Sequence, residues 1–248
     1  MSDKKGFAFI TGSSQGIGKA IALRLAADGF DIALNDLPSK LEQLKDVEKE
    51  IQALQRKTGI FVGDVSNEDS VKSVIESAVK QLGSLDVCVA NAGVFTNRSI
   101  LDTPAEEWDR VFAINARGPF LCYKYAAIQM VSQGRGGRII GACSLSGRRG
   151  RRGGVSYCGT KFAVRGMTQS AALDLAQYGI TVNAYAPIND VIGDDHDGSK
   201  HKEYIQSIPL GRAAEPSDIS NLVSFIASKE SSYITGQMFD VNGGAFLN

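Results

Sequence analysis

Thr11-Gly12-Ser13-Ser14-Gln15-Gly16-Ile17-Gly18 closes an apolar run that begins at Phe7 and opens a helical pattern over 16–29. Glycine permits positive φ and lets a backbone approach a pyrophosphate, whose charge is stabilised by the unpaired amides of a helix N-terminus. The spacing Gly-x3-Gly-x-Gly also suits a purely structural turn between strand and helix. Asp36 favours the first reading. It stands 20 residues after Gly16 at the end of the next apolar run, where a carboxylate accepts hydrogen bonds from ribose hydroxyls. A carboxylate there repels a 2′-phosphate, and neither Ser13, Ser14 and Gln15 nor Leu37 offers a cation to hold one. The expectation is NAD in preference to NADP, with Lys19 and Lys40 the nearest cations that could reverse it.

Working outward from this turn, seven runs read as strands: Phe7 to Thr11, Asp31 to Asn35, Ile60 to Gly63, Leu85 to Ala90, Arg138 to Ala142, Ile180 to Ala186 and Gln237 to Val241. Helical patterns fill the intervals at about 16–29, 39–57, 67–82, 104–133, 156–178 and 215–228. Strands alternating with helices imply right-handed crossovers and a parallel sheet covered on both faces. The expected fold is α/β: one domain over 1–248, built on a doubly wound, seven-stranded parallel sheet with helices on both faces. Such sheets bind ligands beyond the carboxyl ends of their strands, which directs attention to the residues after Ile10, Asn35, Ala90, Ala142 and Ala186.

Composition narrows the partners. Lys plus Arg equals Asp plus Glu at 27 each, so no global field draws the chain to nucleic acid or an anionic membrane. Met1 to Gly6 is too polar for a signal peptide, and no apolar stretch reaches the roughly 20 residues of a membrane helix. Cys88, Cys122, Cys143 and Cys158 lack any CxxC spacing, which favours reduced thiols. The expectation is a soluble, cytoplasmic protein without a metal site.

Tyr157 and Lys161 lie four residues apart at the start of a predicted helix and therefore share a face, while Ser144 follows the strand ending at Ala142. Reducing a ketone requires a proton donor at the carbonyl oxygen as hydride reaches carbon; the reverse oxidation requires a base at that oxygen. Tyrosine is a poor base at a reference pKa of about 10. A nearby ammonium favours the phenolate and is expected to bring it toward working pH, with Ser144 hydrogen-bonding the substrate oxygen. Tyr-x-x-x-Lys by itself also arises by chance on a helix face, its lysine simply solvated.

The conjunction is more specific. The glycine turn, Asn91-Ala92-Gly93, Asn115, Ser144 and Tyr157-x-x-x-Lys161 occur in an order that resembles the short-chain dehydrogenase/reductase family over nearly the whole chain, from Gly6 to Gly244. The segments Arg117-Gly-Pro-Phe-Leu-Cys-Tyr-Lys-Tyr-Ala-Ala and Gly137-Arg-Ile-Ile-Gly-Ala, together with the run from Lys161 to Leu173, look most like the diacetyl/acetoin reductase and 2,3-butanediol dehydrogenase members. The resemblance implies a Rossmann-like fold and an NAD-dependent enzyme acting on a small carbonyl/alcohol pair. It implies Tyr157 as acid/base, Lys161 as its partner and a ribose ligand, Ser144 as substrate-oxygen donor, and Asn115 as support for a proton-relay water. Cofactor contacts are implied at Gly12, Ser14, Gln15, Gly16, Ile17, Gly18, Asp36, Asp64, Val65, Asn91, Ala92, Gly93 and Pro187. Asn91 and Asn115 also admit a plainer reading as buried amides tying strand ends together. The family likeness further suggests a homotetramer packed through the helices beginning near Asn115 and Ser156.

Two segments break the pattern. Family members follow the sixth strand with Pro-Gly and a nearby threonine, whereas this chain has Pro187-Ile188-Asn189-Asp190-Val191-Ile192-Gly193, opening a variable substrate loop over about 188–211. An altered lid is expected, and a metal site from His196, His201 and the neighbouring aspartates is outweighed by a solvated loop. Arg148, Arg149, Arg151 and Arg152 stand between Ser144 and Tyr157, either solvated, forming an anion clamp for a phosphate- or carboxylate-bearing substrate, or contacting nucleic acid. The leading expectation is an enzyme. The alternatives are a 3-oxoacyl reductase whose arginines hold a carrier phosphate, and a dinucleotide-binding sensor or scaffold that has lost turnover.

Overall fold

Every residue of β1 (Gly6–Thr11) after the first is buried, with Phe7 and Phe9 packed on one face and Ala8 and Ile10 on the other. A strand buried on both sides reads as a continuous apolar run, which is why its neighbours β2 (Phe30–Asn35) and β4 (Val87–Ala90) carry no polar alternation. In the computed structural model, which describes residues 5–188 and 205–247, these strands join β3 (Thr58–Ile60), β5 (Gly137–Ala142), β6 (Ile180–Pro187) and β7 (Met238–Val241) in one parallel sheet. The order is β3-β2-β1-β4-β5-β6-β7, the expected doubly wound, Rossmann-like arrangement.

Helices α1 (Gly16–Ala27), α2 (Leu41–Ala53) and α7 (Pro216–Ala227) cover one face through Ile21, Leu25, Leu44, Val47, Ile219 and Val223. On the other face lie α3 (Glu68–Leu82), α5 (Gly118–Gln133) and α6 (Val155–Leu175), contributing Val71, Ile75, Leu121, Tyr123 and Ala172. Each fully buried apolar side chain of this kind contributes roughly 1.5–3 kcal/mol. The chain leaves β1 toward β2 on one side and returns to β4 on the other. That reversal opens a crevice at the strands' carboxyl ends.

Three expected boundaries are corrected. The third strand is Thr58–Ile60, two residues earlier than expected, because Thr58, Gly59 and Ile60 are the residues that pair with Ile32, Ala33 and Leu34 of β2. The helix expected over 104–133 is α4 (Ala105–Phe112), a π-helical turn (Ala113–Arg117) and α5, with Gly118 and Pro119 marking the restart. The second helix stops at Ala53, short of residue 57. The metal alternative and most of the variable loop fall on 189–204, outside the described residues. No helix among the described residues is long and apolar enough to cross a membrane.

Candidate active site

α1 has no acidic residue in its first turn, and Gln15 at its N-cap provides no side-chain hydrogen bond. In α3, by contrast, Asn67 accepts from Ser70 N and the first turn holds Glu68 and Asp69. An uncapped helix start presents unpaired N–H groups and the positive end of the helix dipole, so α1 is left for an external anion. Gly16, at φ 55°, faces open space: a Cβ added there meets nothing within 4 Å. Gly12 and Gly18 do the opposite and let the turn close on β4, where a Cβ at Gly12 would stand 2.9 Å from Ala92 Cα.

Beside this turn Asp36 accepts from Ser14 N at 3.2 Å and from Leu37 N at 2.8 Å, one bond to each carboxylate oxygen, and each oxygen keeps a further lone pair. Ser14 Oγ is buried with no hydrogen-bond partner among the described residues, an orphan that a ligand oxygen would satisfy. These features fit a dinucleotide. Lys19 makes an exposed ion pair with Glu50 at 2.8 Å, and Lys40 lines the cleft.

The cleft has a volume of about 600 Å³, and every residue expected to contact the cofactor lines it, from Gly12 through Asp36, Asp64 and Asn91 to Lys161 and Pro187, with Tyr157 beside them. Ile188, in the place of the family's glycine, is buried along its wall. Asp64 is partly committed, with one oxygen accepting from the N–H and hydroxyl of Ser66 at 2.8 Å. Asn91 donates to the carbonyls of Thr11 (2.9 Å) and Gly12 (3.2 Å) and accepts from the Tyr185 hydroxyl (2.7 Å), fastening the glycine turn to β4 and β6. Asn115, fully buried in the π turn, accepts from Val94 N at 2.8 Å and donates to Val94 O at 2.7 Å. Both amides tie neighbouring backbone segments together, half-buried at Asn91 and fully buried at Asn115, and both stand beside the cleft.

Gly153 and Gly154 lead into α6, whose first turn carries Tyr157 and whose second carries Lys161. Ser146 N donates to Ser144 Oγ at 3.1 Å, and Ser144 is hydrogen-bonded to the Tyr157 phenol. Lys161 Nζ lies 5.4 Å from the Tyr157 ring centroid and donates to Ala142 O at 2.8 Å.

The electrostatics depart from expectation. Burial pushes the Tyr157 phenol up to about 12, with the Ser144 hydrogen bond and Arg151 pulling the other way. Burial also pulls Lys161 down to about 8. The lysine thus sheds its proton before the phenol does and no longer faces it as a cation when it titrates. One consequence is a stability signature. The unfolded lysine, at 10.5, binds more protons than the folded one above pH 8, so this residue makes the protein more stable as pH rises from about 8 to 10. The gain is on the order of 3 kcal/mol. Tyr157 and the raised thiols act oppositely at higher pH, so the check is the difference in urea unfolding between wild type and Lys161→Met. A difference that stays flat across this window contradicts the burial argument.

The arginine segment divides. Arg148 donates to Met238 O at 2.7 Å and pairs with Asp240 at 3.1 Å, pinning the loop to β7. Arg149 stacks on Phe246 at 5.2 Å, and of the four only Arg151 lines the cleft. Phe95, not singled out in the sequence, meets the Tyr157 ring edge-on at 5.1 Å and lies under Arg151 at 4.9 Å. Trp108 and Phe112 stack at 4.4 Å against Gly159.

A parallel sheet with an uncapped glycine turn, an acid after the second strand and a Tyr, Lys and Ser group across the same crevice defines a dinucleotide-binding oxidoreductase. Residues 12–245 match the family model described as Enoyl-(Acyl carrier protein) reductase. A short-chain dehydrogenase/reductase of Armillaria gallica is 48% identical over 247 residues, covering 96% of this chain and 94% of the relative. The L-2,3-butanediol dehydrogenase of Corynebacterium glutamicum is 40% identical over 255 residues, covering 97% and 98%. Among solved structures, the acetoin dehydrogenase of Salmonella typhimurium superposes with a TM-score of 0.88 at 34% identity, covering 96% and 95%. The chain belongs to the short-chain dehydrogenase/reductase family, whose members typically bind a nicotinamide cofactor.

Proposed function

We propose that the protein is an NAD(H)-dependent oxidoreductase interconverting a small ketone or diketone and the corresponding secondary alcohol, in the manner of an acetoin reductase or butanediol dehydrogenase. The observation that carries this reading is the Tyr157 phenol, hydrogen-bonded to Ser144 and placed over Lys161, on the wall of the cleft that begins at the uncapped α1. When bound, the nicotinamide supplies or accepts the hydride. In reduction the Tyr157 phenol gives its proton to the carbonyl oxygen and becomes phenolate, and in oxidation the phenolate accepts the alcohol proton. Ser144 donates a hydrogen bond to the same oxygen. Lys161, near pH 8, exchanges protons at working pH and restores the phenol. Asn115 holds the loop after β4 in place at Val94, and Asp36 accepts ribose hydroxyls.

Support from named relatives is chemical: acetoin and 2,3-butanediol both carry a second oxygen beside the reacting one. The proposal extends to a cytoplasmic homotetramer. Four buried free cysteines suit a reducing compartment, and α5 and α6 expose Phe120, Ile128, Phe162 and Leu173. Purified protein mixed with NADH and diacetyl or acetoin is expected to consume NADH. Tight NADH binding with no turnover of these or of a 3-oxoacyl thioester favours a sensor instead. Asp36→Ala is expected to weaken NADH binding about tenfold and to narrow the preference against NADPH, read by titration with both cofactors. A wild type that binds the two equally contradicts the role given to Asp36.

A further inference from the structure

We propose that Arg151 is the specificity-determining residue of this site: its guanidinium binds a second oxygen function on the carbonyl substrate, a carboxylate most strongly. The inference rests on the oxidoreductase reading above and names the substrate class that reading leaves open.

The placement is the first ground. Arg151 lines the same cleft as Tyr157, and its guanidinium lies 4.9 Å from the Phe95 ring centroid. That ring meets Tyr157 edge-on at 5.1 Å and 78°. The cation therefore sits one aromatic ring away from the phenol that would hold the reacting oxygen. On this proposal, a substrate whose carbonyl reaches Tyr157 extends its remaining carbons along Phe95 toward Arg151.

Pre-organisation is the second ground. Arg151 Nη2 donates to Asn97 Oδ1 at 3.3 Å and Nε to Arg152 O at 3.4 Å. The loop carrying Asn97 is fastened to the arginine loop by Arg98 N donating to Gly153 O at 2.8 Å. Gly153 has φ 67°, and a Cβ there would overlap Asn97 Oδ1, so the two loops fit together only with glycine at that point. Arg151 is exposed, and the Phe95 face together with these two bonds limits the freedom its side chain has left to lose on binding.

Unspent bonding capacity is the third. Among the described residues no carboxylate pairs with Arg151, and both Nη1 hydrogens lack a protein acceptor. Nη1 and the second hydrogen of Nη2 form the fork that accepts a carboxylate through two parallel bonds. Arg148, pinned to Asp240, and Arg149, stacked on Phe246, do not share this position.

The test compares 2-butanone, diacetyl and 3-oxobutanoate, a matched set carrying no second oxygen, a neutral one and a carboxylate. Wild type, Arg151→Met and Arg151→Lys are assayed with NADH, and thermal unfolding confirms that each variant folds. Methionine keeps an apolar stem against Phe95 while removing charge and donors. Wild type is expected to favour 3-oxobutanoate in kcat/KM. Arg151→Met is expected to lose about 100-fold on 3-oxobutanoate and about tenfold on diacetyl, and to stay within about twofold on 2-butanone. Arg151→Lys should recover part of the loss on 3-oxobutanoate alone. Equal losses on all three substrates overturn the proposal and make Arg151 a brace for the loop, as does a wild type that turns over 3-oxobutanoate least well. If wild type reduces other ketones but these trends are absent, only this inference falls. If it binds NADH and reduces nothing, the function beneath it falls as well.

Discussion

Replacing Tyr157 with phenylalanine is expected to lower kcat by about 10³-fold or more while leaving NADH affinity within about twofold. The substitution deletes one oxygen and keeps the ring, so the edge contact with Phe95 and the face above Lys161 survive. What is lost is the group able to move a proton to or from a substrate oxygen. Ser144 cannot replace it, because giving up its proton would leave an alkoxide, which is inaccessible at neutral pH. Lys161 is turned to the Ala142 carbonyl beneath the ring. Single-turnover kinetics with NADH and the best ketone separate the chemical step from binding. Residual turnover near the wild-type rate would mean that another group is the acid.

The second large effect is expected at Gly18. An alanine Cβ there would overlap the Gly12 carbonyl oxygen and stand 2.6 Å from Asn91 Nδ2. Neither neighbour can yield cheaply. One is backbone, and the other is bonded to Thr11, Gly12 and Tyr185. The turn must move, and overpacking of this kind costs about 3 kcal/mol, or roughly 6–12 °C in Tm for a domain of this size. Nucleotide affinity should fall about 100-fold with it, because the displaced amides are those left for the anion. Gly16→Ala provides the contrast. Its Cβ points into open space at φ 55°, so it should cost only about 1 kcal/mol in stability yet block the nucleotide. Thermal unfolding and NADH titration of both variants check this. Equal effects on stability contradict the distinction between a packing glycine and a cradle glycine.

Much of this was legible in the sequence because it is local. A glycine turn, an acid one strand later and two side chains four residues apart on a helix need no knowledge of distant contacts, and the cleft gathers all of them. The sheet was legible because strands buried on both faces read as apolar runs. The interruption at Ala113–Arg117 had a signal in Gly118 and Pro119, which the apolar period of α4 and α5 outweighed. Phe95 left no such trace, since its contacts with Tyr157 and Arg151 join loops after two different strands. The four arginines look equivalent along the chain and are separated only by β7 and Phe246 folding back on two of them. The effect of Lys161 on Tyr157 is not legible for a related reason. Proximity is readable from spacing, whereas burial of both groups is not.

The central claim is that one crevice holds a nicotinamide dinucleotide on the α1 turn with its reactive end at Tyr157. A crystal structure of the protein soaked with NADH tests it most directly. The expected density places the pyrophosphate over Gly16 and Ile17, the adenosine ribose on Asp36 and the nicotinamide between Tyr157 and Pro187. Density elsewhere, or a glycine turn left empty at saturating NADH, would contradict it.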